Sequence, residues 1–241
     1  MNAFADIHSL DVAQAMLRSI FPDGVAIGVT SPDEDVHDLL AAEEASLPKA
    51  TAARQREFAA GRRAAHQAMA ALGQAVRPVV AEADRAPVWP DGLTGSISHD
   101  DSVCVAAVAS SCGFAALGLD IEPDAELPRE LEPEICTVGE LAWLSVQPSS
   151  LRGRLGRLIF SAKEAAYKCQ YTRSRTVLGF DAMEITPDPQ TGQFEATFTR
   201  DVPGFPARRQ LAGRFVLGGG VLMCGVTLSA EQARSADPGG G

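Results

Sequence analysis

The sequence has no apolar run long enough to cross a bilayer, although 46% of its 241 residues are hydrophobic. A transmembrane helix needs about 20 consecutive apolar residues. The first eight residues also lack the basic start and long apolar centre of a secretory signal peptide. A chain of this length can bury one large core or two small ones. We therefore expect a soluble, cytoplasmic protein with no membrane partner.

Cysteine and histidine are too few and too scattered to suggest a disulfide framework or a zinc site. The five cysteines are odd in number and have no CxxC spacing, which is typical of buried free thiols in a reducing compartment. The four histidines (8, 37, 66 and 99) have no ligand spacing. Any bound metal should therefore be a hard cation with oxygen ligands.

The net charge of −10 argues against nucleic acids and anionic membranes as partners. The charge is unevenly distributed, because residues 120–140 carry eight acids and one base, whereas residues 151–175 carry seven bases and one acid. Two interpretations are open. The segments form two solvated faces of opposite sign, or the basic one docks an acidic partner.

Helix and strand signals alternate along the chain. Helices are predicted near Leu10 to Ile20, from the capping box at Ser31 to Glu34 toward Leu47, and from Lys49 to Leu72, before Gly73. Apolar runs at 95–98, 103–109 and 114–121 then predict an antiparallel meander.

A similar order follows in the second part of the chain. A capping box at Thr137 to Glu140 opens a short helix, and Ser149 or Ser150 is expected to cap a longer one. Strands are predicted at 182–186, 194–199, 210–216 and 221–228. The sequence thus predicts an α+β pseudo-dimer of two similar halves, 1–117 and 118–232, followed by a disordered tail, 233–241.

Two groups of charged residues could form one site. Asp120 and Glu122 are two apart on a predicted strand, so they project from one face about 7 Å apart. Glu164 and Lys168 share one helix face, with Lys163 at its edge. The plain alternatives are a solvated strand end and an ordinary helical ion pair. Together, three carboxylates and two lysines are suited to hold magnesium and a diphosphate.

Further cations precede this group. Arg54 and Arg62 lie on an otherwise apolar helical stripe, so each needs a carboxylate such as Glu57 or a bound anion. Arg85 lies in a turn-rich loop, and Ser98 and His99 lie at a strand end, where phosphate oxygens can be bound. Asp100 and Asp101 follow His99 and must turn away if a phosphate binds there.

Several motifs occur in a fixed order that resembles the surfactin-type 4′-phosphopantetheinyl transferases, particularly the enterobactin synthase component D branch. They are Ile20-Phe-Pro-Asp-Gly24, Arg54-Gln-Arg-Glu-Phe-Ala-Ala-Gly-Arg62, Pro87-Val-Trp-Pro-Asp-Gly92, Gly95-Ser-Ile-Ser-His99, Gly118-Leu-Asp-Ile-Glu-Pro123, Phe160-Ser-Ala-Lys-Glu-Ala-Ala-Tyr-Lys168 and Leu178-Gly-Phe180.

The resemblance implies a fold of two α+β halves with coenzyme A in the cleft. It implies transfer of phosphopantetheine to a serine of an apo acyl or peptidyl carrier protein in siderophore, nonribosomal peptide, polyketide or fatty acid synthesis. Asp120, Glu122 and Glu164 would bind Mg²⁺, and Glu164 would act as base. Lys163 would contact the diphosphate and Lys168 the departing bisphosphate. The coenzyme anchors would be Arg54, Arg62, Arg85, Ser98 and His99.

We expect a monomer that acts on acidic carriers. Two other functions are open, namely a non-catalytic module that binds coenzyme A or a carrier, and a magnesium-dependent diphosphate hydrolase.

Overall fold

The computed structural model describes residues 10–32, 39–47 and 51–235. The helices in these ranges are α1 (Leu10–Ile20), α2 (Ala41–Ala45), α3 (Ala52–Ala71), α4 (Glu132–Ile135), α5 (Val138–Ser145), α6 (Ser149–Ser174) and α7 (Ala230–Ser235). The strands are β1 (Val25–Thr30), β2 (Val80–Ala81), β3 (Pro87–Val88), β4 (Leu93–His99), β5 (Cys104–Ser110), β6 (Phe114–Pro123), β7 (Met183–Asp188), β8 (Gln193–Phe198), β9 (Gln210–Gly218) and β10 (Val221–Ser229). None of these helices is long and apolar enough to span a bilayer.

The two halves share a common plan, which confirms the predicted α+β fold. The first half has a three-stranded sheet of order β1-β5-β4 and a small β2-β3 pair, and the second has a five-stranded sheet of order β6-β10-β9-β8-β7, with antiparallel neighbours throughout. In each half the first strand leads to the long helix, and the last strand returns beside the first. The predicted meander is therefore wrong at its third strand, because β6 pairs with β10 and begins the second sheet.

A glycine lets each long helix lie directly on the first strand of its half. A Cβ at Gly28 of β1 would lie 1.9 Å from the carbonyl oxygen of Ala64 in α3, and one at Gly118 of β6 would lie 1.8 Å from that of Ala165 in α6. No side chain fits at such distances. The two contacts make Gly28 equivalent to Gly118 and Ala64 equivalent to Ala165.

The halves share a core. Ala13, Leu17 and Ile20 of α1 pack with apolar residues of β1 and β5 from the first sheet, and of β6 and β10 from the second. The expected boundary at residues 117 and 118 falls inside β6.

Several element boundaries differ from the predictions. Helix α6 begins at Ser149 itself, directly after Pro148, and has no side-chain cap. Residues 233–235 belong to α7, so the predicted disordered tail is wrong for them, and residues 236–241 lie outside the described ranges. Residues 33–38 of the helix expected after Ser31 also lie outside these ranges. Strand β1 was not predicted.

Candidate active site

A hydrogen-bonded network around Asp120 joins both halves at the centre of the molecule. The Nζ atom of Lys168 donates to Asp120 Oδ1 at 2.7 Å and to Ser98 Oγ at 3.0 Å. Ser98 Oγ in turn donates to the same Oδ1 at 3.1 Å, and Ser161 Oγ donates to Oδ2 at 2.9 Å. The structure thus brings together three predicted site residues, Asp120, Ser98 and Lys168.

The backbone of β6 fixes this network against its neighbours. Lys168 also donates to the carbonyl oxygen of Leu119 at 3.0 Å, and the amide of Leu119 donates to Ser96 Oγ at 3.0 Å. Strand alternation places Ser96 and Ser98 on one face of β4, toward β6 and α6. Ser161 was missed by the sequence prediction, although it lies seven residues before Lys168 on the same helix face.

Glu122 is bound by an arginine of the neighbouring helix. Arg157 Nη1 donates to Glu122 Oε2 at 2.9 Å. Burial raises the pKa of Glu122 to about 7, with a further contribution from the charge of Asp120, whereas Arg157 acts in the opposite direction. The carboxylate is therefore close to other negative charge, as a cation ligand would be.

Glu164 makes no hydrogen bond or ion pair with any described residue. Its side chain is half-buried. Burial raises its pKa, the nearby charge of Lys168 lowers it, and that of Asp120 raises it. A partly buried carboxylate without a hydrogen-bond donor is destabilised unless a cation or a proton approaches it.

The three carboxylates have the right chemistry for magnesium but do not surround a common point. Among the described residues, no group of three or more His, Cys, Asp or Glu side chains is arranged to hold a metal ion. Two of these carboxylates pair with cations of the chain instead, Asp120 with Lys168 and Glu122 with Arg157. The oxygen-only donor set and the unpaired Glu164 nevertheless fit a hard cation once these side chains move.

A cavity of 340 Å³ next to the network collects most of the predicted coenzyme anchors. It is lined by Arg54, Glu57, Phe58, Arg62, Arg85, Pro87, Ile97, Ser98, His99, Asp120 and Lys168. Arg62 is 7% exposed, and its Nη2 has no hydrogen-bond partner among the described residues. Burial lowers the pKa of Arg62 to about 10. A buried guanidinium with a free N–H group is suited to an anionic ligand.

The other end of this cavity is held by Arg54, Glu57 and His99. Arg54 Nη1 lies 2.9 Å from Glu57 Oε2 and 2.6 Å from His99 Nε2. Because a guanidinium can only donate, His99 Nε2 accepts and the ring is neutral in this state. Burial lowers the pKa of His99. Asp100 turns away, since its Oδ1 accepts hydrogen bonds from Ser102 and from the amide of Val103.

A larger, more apolar cavity of 550 Å³ adjoins the first through Arg85, Pro87, Ile97 and Lys168. Its walls include Trp89, Tyr167 and Tyr171. Thr94 also lines it, and its buried hydroxyl has no hydrogen-bond partner among the described residues. The two cavities form one cleft with a polar end and an aromatic end. Thr94 was not predicted and has no distinguishing motif.

Lys163 does not reach this cleft. Its side chain is 1% exposed, and Nζ lies 2.7 Å from Glu140 Oε2. The same atom donates to the carbonyl oxygens of Ile135 and Phe180, both at 2.8 Å. The structure contradicts the expectation of a diphosphate contact, because three buried acceptors already hold the ammonium.

The charged segments around the site pair with each other. Arg152 lies 2.6 Å from Glu132, Arg154 lies 3.2 Å from Asp124, and Arg157 binds Glu122. Neither interpretation offered by the sequence describes this arrangement fully, because much of the basic charge is neutralised within the molecule.

Taken together, a cleft between two α+β halves, a lysine-carboxylate centre and a cation-lined cavity form a site suited to a phosphate-containing ligand. A family model described as the 4′-phosphopantetheinyl transferase N-terminal domain matches residues 42–109, and one described as the 4′-phosphopantetheinyl transferase superfamily matches residues 116–218. The chain belongs to the 4′-phosphopantetheinyl transferase family and is a transferase.

Individual relatives agree. The chain is 33% identical over 207 residues to 4′-phosphopantetheinyl transferase Svp of Streptomyces mobaraensis. The matched region covers 83% of this chain and 82% of Svp. It is 35% identical over 183 residues to 4′-phosphopantetheinyl transferase Npt of Nocardia iowensis, covering 75% and 81%. Enterobactin synthase component D of Salmonella typhi is 38% identical over 154 residues, covering 62% of each chain. The predicted resemblance is confirmed.

Proposed function

We propose that this protein transfers 4′-phosphopantetheine from coenzyme A to a serine of an apo acyl or peptidyl carrier protein. The observation that carries the proposal is the unpaired Glu164 beside the Lys168–Asp120 pair, at a cleft lined by Arg54, Arg62 and Arg85. The serine oxygen forms a bond to the β-phosphorus. The bond from this phosphorus to the bridging oxygen breaks, and adenosine 3′,5′-bisphosphate leaves.

Glu164 is the proposed base for the serine proton. Its carboxylate is not engaged by described donors, and its raised pKa makes it a better proton acceptor than an ordinary glutamate. Lys168 would stabilise or protonate the departing bisphosphate, for which it must leave Asp120. Its hydrogen bonds to Ser98 and Leu119 would keep the ammonium group close to the cleft after it leaves Asp120.

Asp120, Glu122 and Glu164 are the proposed ligands of Mg²⁺. Bound there, the ion would supply positive charge next to the diphosphate. Support comes from the oxygen-only donor set and from the influence of Asp120 on the pKa values of both glutamates.

Arg54, Arg62, Arg85, Ser98 and His99 are proposed to hold the 3′-phosphate, ribose and adenine. The free Nη2 of Arg62 supports an anion in the polar cavity. The adjoining aromatic cavity is suited to a planar base.

Mass spectrometry of an apo carrier protein tests the reaction directly. Incubation with this protein, coenzyme A and Mg²⁺ should add one phosphopantetheine to the carrier. Coenzyme A cleaved without an acceptor would instead indicate a hydrolase. Coenzyme A that binds but stays intact, both with and without the carrier protein, would indicate a binding module.

The acceptor is proposed to be an acidic carrier domain, and the protein is proposed to act as a monomer in the cytoplasm. Pathways that use such carriers include siderophore, peptide and polyketide assembly. Of the basic residues on α6, Arg154 and Arg173 have exposed side chains, and Arg154 is 51% exposed despite its contact with Asp124.

A further inference from the structure

Arg157 forms an ion pair with Glu122, one of the three carboxylates proposed to bind the metal. Its Nη1 donates to Glu122 Oε2 at 2.9 Å. Both side chains are about four-fifths buried, with 19% and 20% exposed. An ion pair this sheltered from water competes more strongly with an incoming cation than one on an open surface.

The remaining contacts of Arg157 would keep it in place after it releases Glu122. Its Nε donates to the carbonyl oxygen of Ala125 at 3.4 Å, and its Nη2 donates to that of Glu126 at 3.3 Å. The guanidinium also lies 5.9 Å from the ring of Phe160. A guanidinium with these neutral partners needs only a small displacement to leave the carboxylate.

We propose that Arg157 is a built-in competitor for the metal site, which keeps Glu122 paired and lowers metal affinity until the diphosphate substrate arrives. Lys168 has the same relation to Asp120, so both carboxylates are paired with cations of the chain before substrate binds. A diphosphate would draw Lys168 away from Asp120 and add negative charge near Glu122. The inference rests on the proposed function for the identity of the metal ligands.

The test is Mn²⁺ binding measured by the electron paramagnetic resonance signal of the free ion. Wild type, Arg157→Gln and Arg154→Gln are compared at pH 8 in the same buffer. Without coenzyme A, Arg157→Gln should bind Mn²⁺ about three- to tenfold more tightly than wild type. Arg154→Gln removes a pair with Asp124 on the same helix and should match wild type.

Adding coenzyme A should tighten Mn²⁺ binding more in wild type than in Arg157→Gln. Unchanged, weaker or undetectable Mn²⁺ binding in a folded Arg157→Gln protein would overturn the proposal and make Arg157 a residue that positions Glu122 for the metal or serves the fold alone. Thermal unfolding checks that both variants are folded. Failure of the proposed function would appear separately, as no transfer to the carrier by wild type.

Discussion

Two carboxylates that interact with the charge of Lys168 have opposite environments. Asp120 accepts hydrogen bonds from Lys168, Ser98 and Ser161, whereas Glu164 has no donor among the described residues. Hydrogen bonds to a charged carboxylate stabilise it, and burial without them favours the proton. This difference supports the proposal that Glu164, rather than Asp120, accepts the serine proton.

Glu164→Gln should reduce transfer to the carrier by at least about a thousandfold, because the amide can neither accept the serine proton nor bind a cation as a charged ligand. Coenzyme A affinity should change by less than about threefold, since the anchors lie in the polar cavity away from Glu164. Turnover by mass spectrometry and binding by calorimetry measure the two effects. Near-normal turnover would remove Glu164 from the mechanism.

The raised pKa of Glu122 predicts a pH-dependent stability of the metal-free protein. A carboxyl whose folded pKa is about 7, against 4.5 as the ordinary value, binds its proton more tightly in the folded state. Stability should therefore fall as pH rises between these values and then level off. Between pH 5 and 8 the Tm of Glu122→Gln should fall less than that of wild type, by on the order of a few degrees. Parallel pH profiles for the two proteins would contradict this assignment.

The buried Lys163–Glu140 pair links α6 to the segments around Ile135, Phe180 and Ile185. Loss of the pair should therefore lower the free energy of unfolding more than it lowers transfer activity. Glu140 also accepts from the amides of Thr137 and Ile185, at 2.6 Å each. Lys163→Met leaves a buried carboxylate uncompensated and should cost about 3–5 kcal/mol in urea unfolding. Adding Glu140→Gln should recover part of this loss. A folded Lys163→Met protein should keep its coenzyme A affinity, whereas a large loss of affinity would restore Lys163 to the substrate site.

The two halves use one packing scheme with different side chains. Thr30 of β1 corresponds to Asp120 of β6, and Ala60 of α3 corresponds to Ser161 of α6. In each half these two residues are hydrogen-bonded. Thr30 Oγ1 donates to the carbonyl oxygen of Ala60 at 2.7 Å, and Asp120 accepts from Ser161 Oγ. Gln67 likewise corresponds to Lys168, since its Oε1 accepts from the amide of Val29 at 3.1 Å. The first half therefore has the geometry of the site without its charges.

This shared packing predicts matched effects at the two helix-contact glycines. Gly118→Ala should destabilise by about 1–3 kcal/mol and abolish transfer, because α6 must move away from β6 with Glu164 and Lys168. Gly28→Ala should destabilise similarly but should chiefly weaken coenzyme A binding, because α3 carries Arg54 and Arg62. Gly113→Ala is the control, since the nearest atom to its Cβ is 3.8 Å away. Equal stability of all three variants would disprove the close contacts.

Some local patterns in the sequence predicted the structure well, although the expected serine cap of α6 is absent and β1 was not predicted. The capping box of α5 is present, with Thr137 Oγ1 accepting from the amide of Glu140, and the Gly-rich turn joins β9 to β10. The pairing of β6 with β10, in place of β5, was not predictable, because an apolar run does not specify which strand it pairs with. Lys163 was misplaced for a similar reason, since helical spacing gives a residue's face but not the acceptors that bury it. Arg157 was noticed only as surface charge.

The surface proposed to dock the carrier protein includes basic residues of α6. Most of these pair with carboxylates of the chain itself, which limits the residues that can be used to test docking. Arg152 and Arg157 are poor probes of docking, because changing them would expose or unpair Glu132 and Glu122. Arg154 is more exposed and touches only Asp124 among the described carboxylates. Arg154→Glu should therefore raise the KM for an acidic carrier several-fold with kcat nearly unchanged.

This effect should diminish at high salt, because exposed charges are screened beyond a Debye length of about 10 Å at 0.1 M. Arg18→Glu on α1, which covers the opposite side of the shared core, changes net charge equally and should leave KM nearly unchanged. If Arg154→Glu and Arg18→Glu have the same KM, docking does not depend on basic charge at α6. Val138 at the start of α5 and Val146 directly after its end would then be the next residues to test, since they are 85% and 78% exposed.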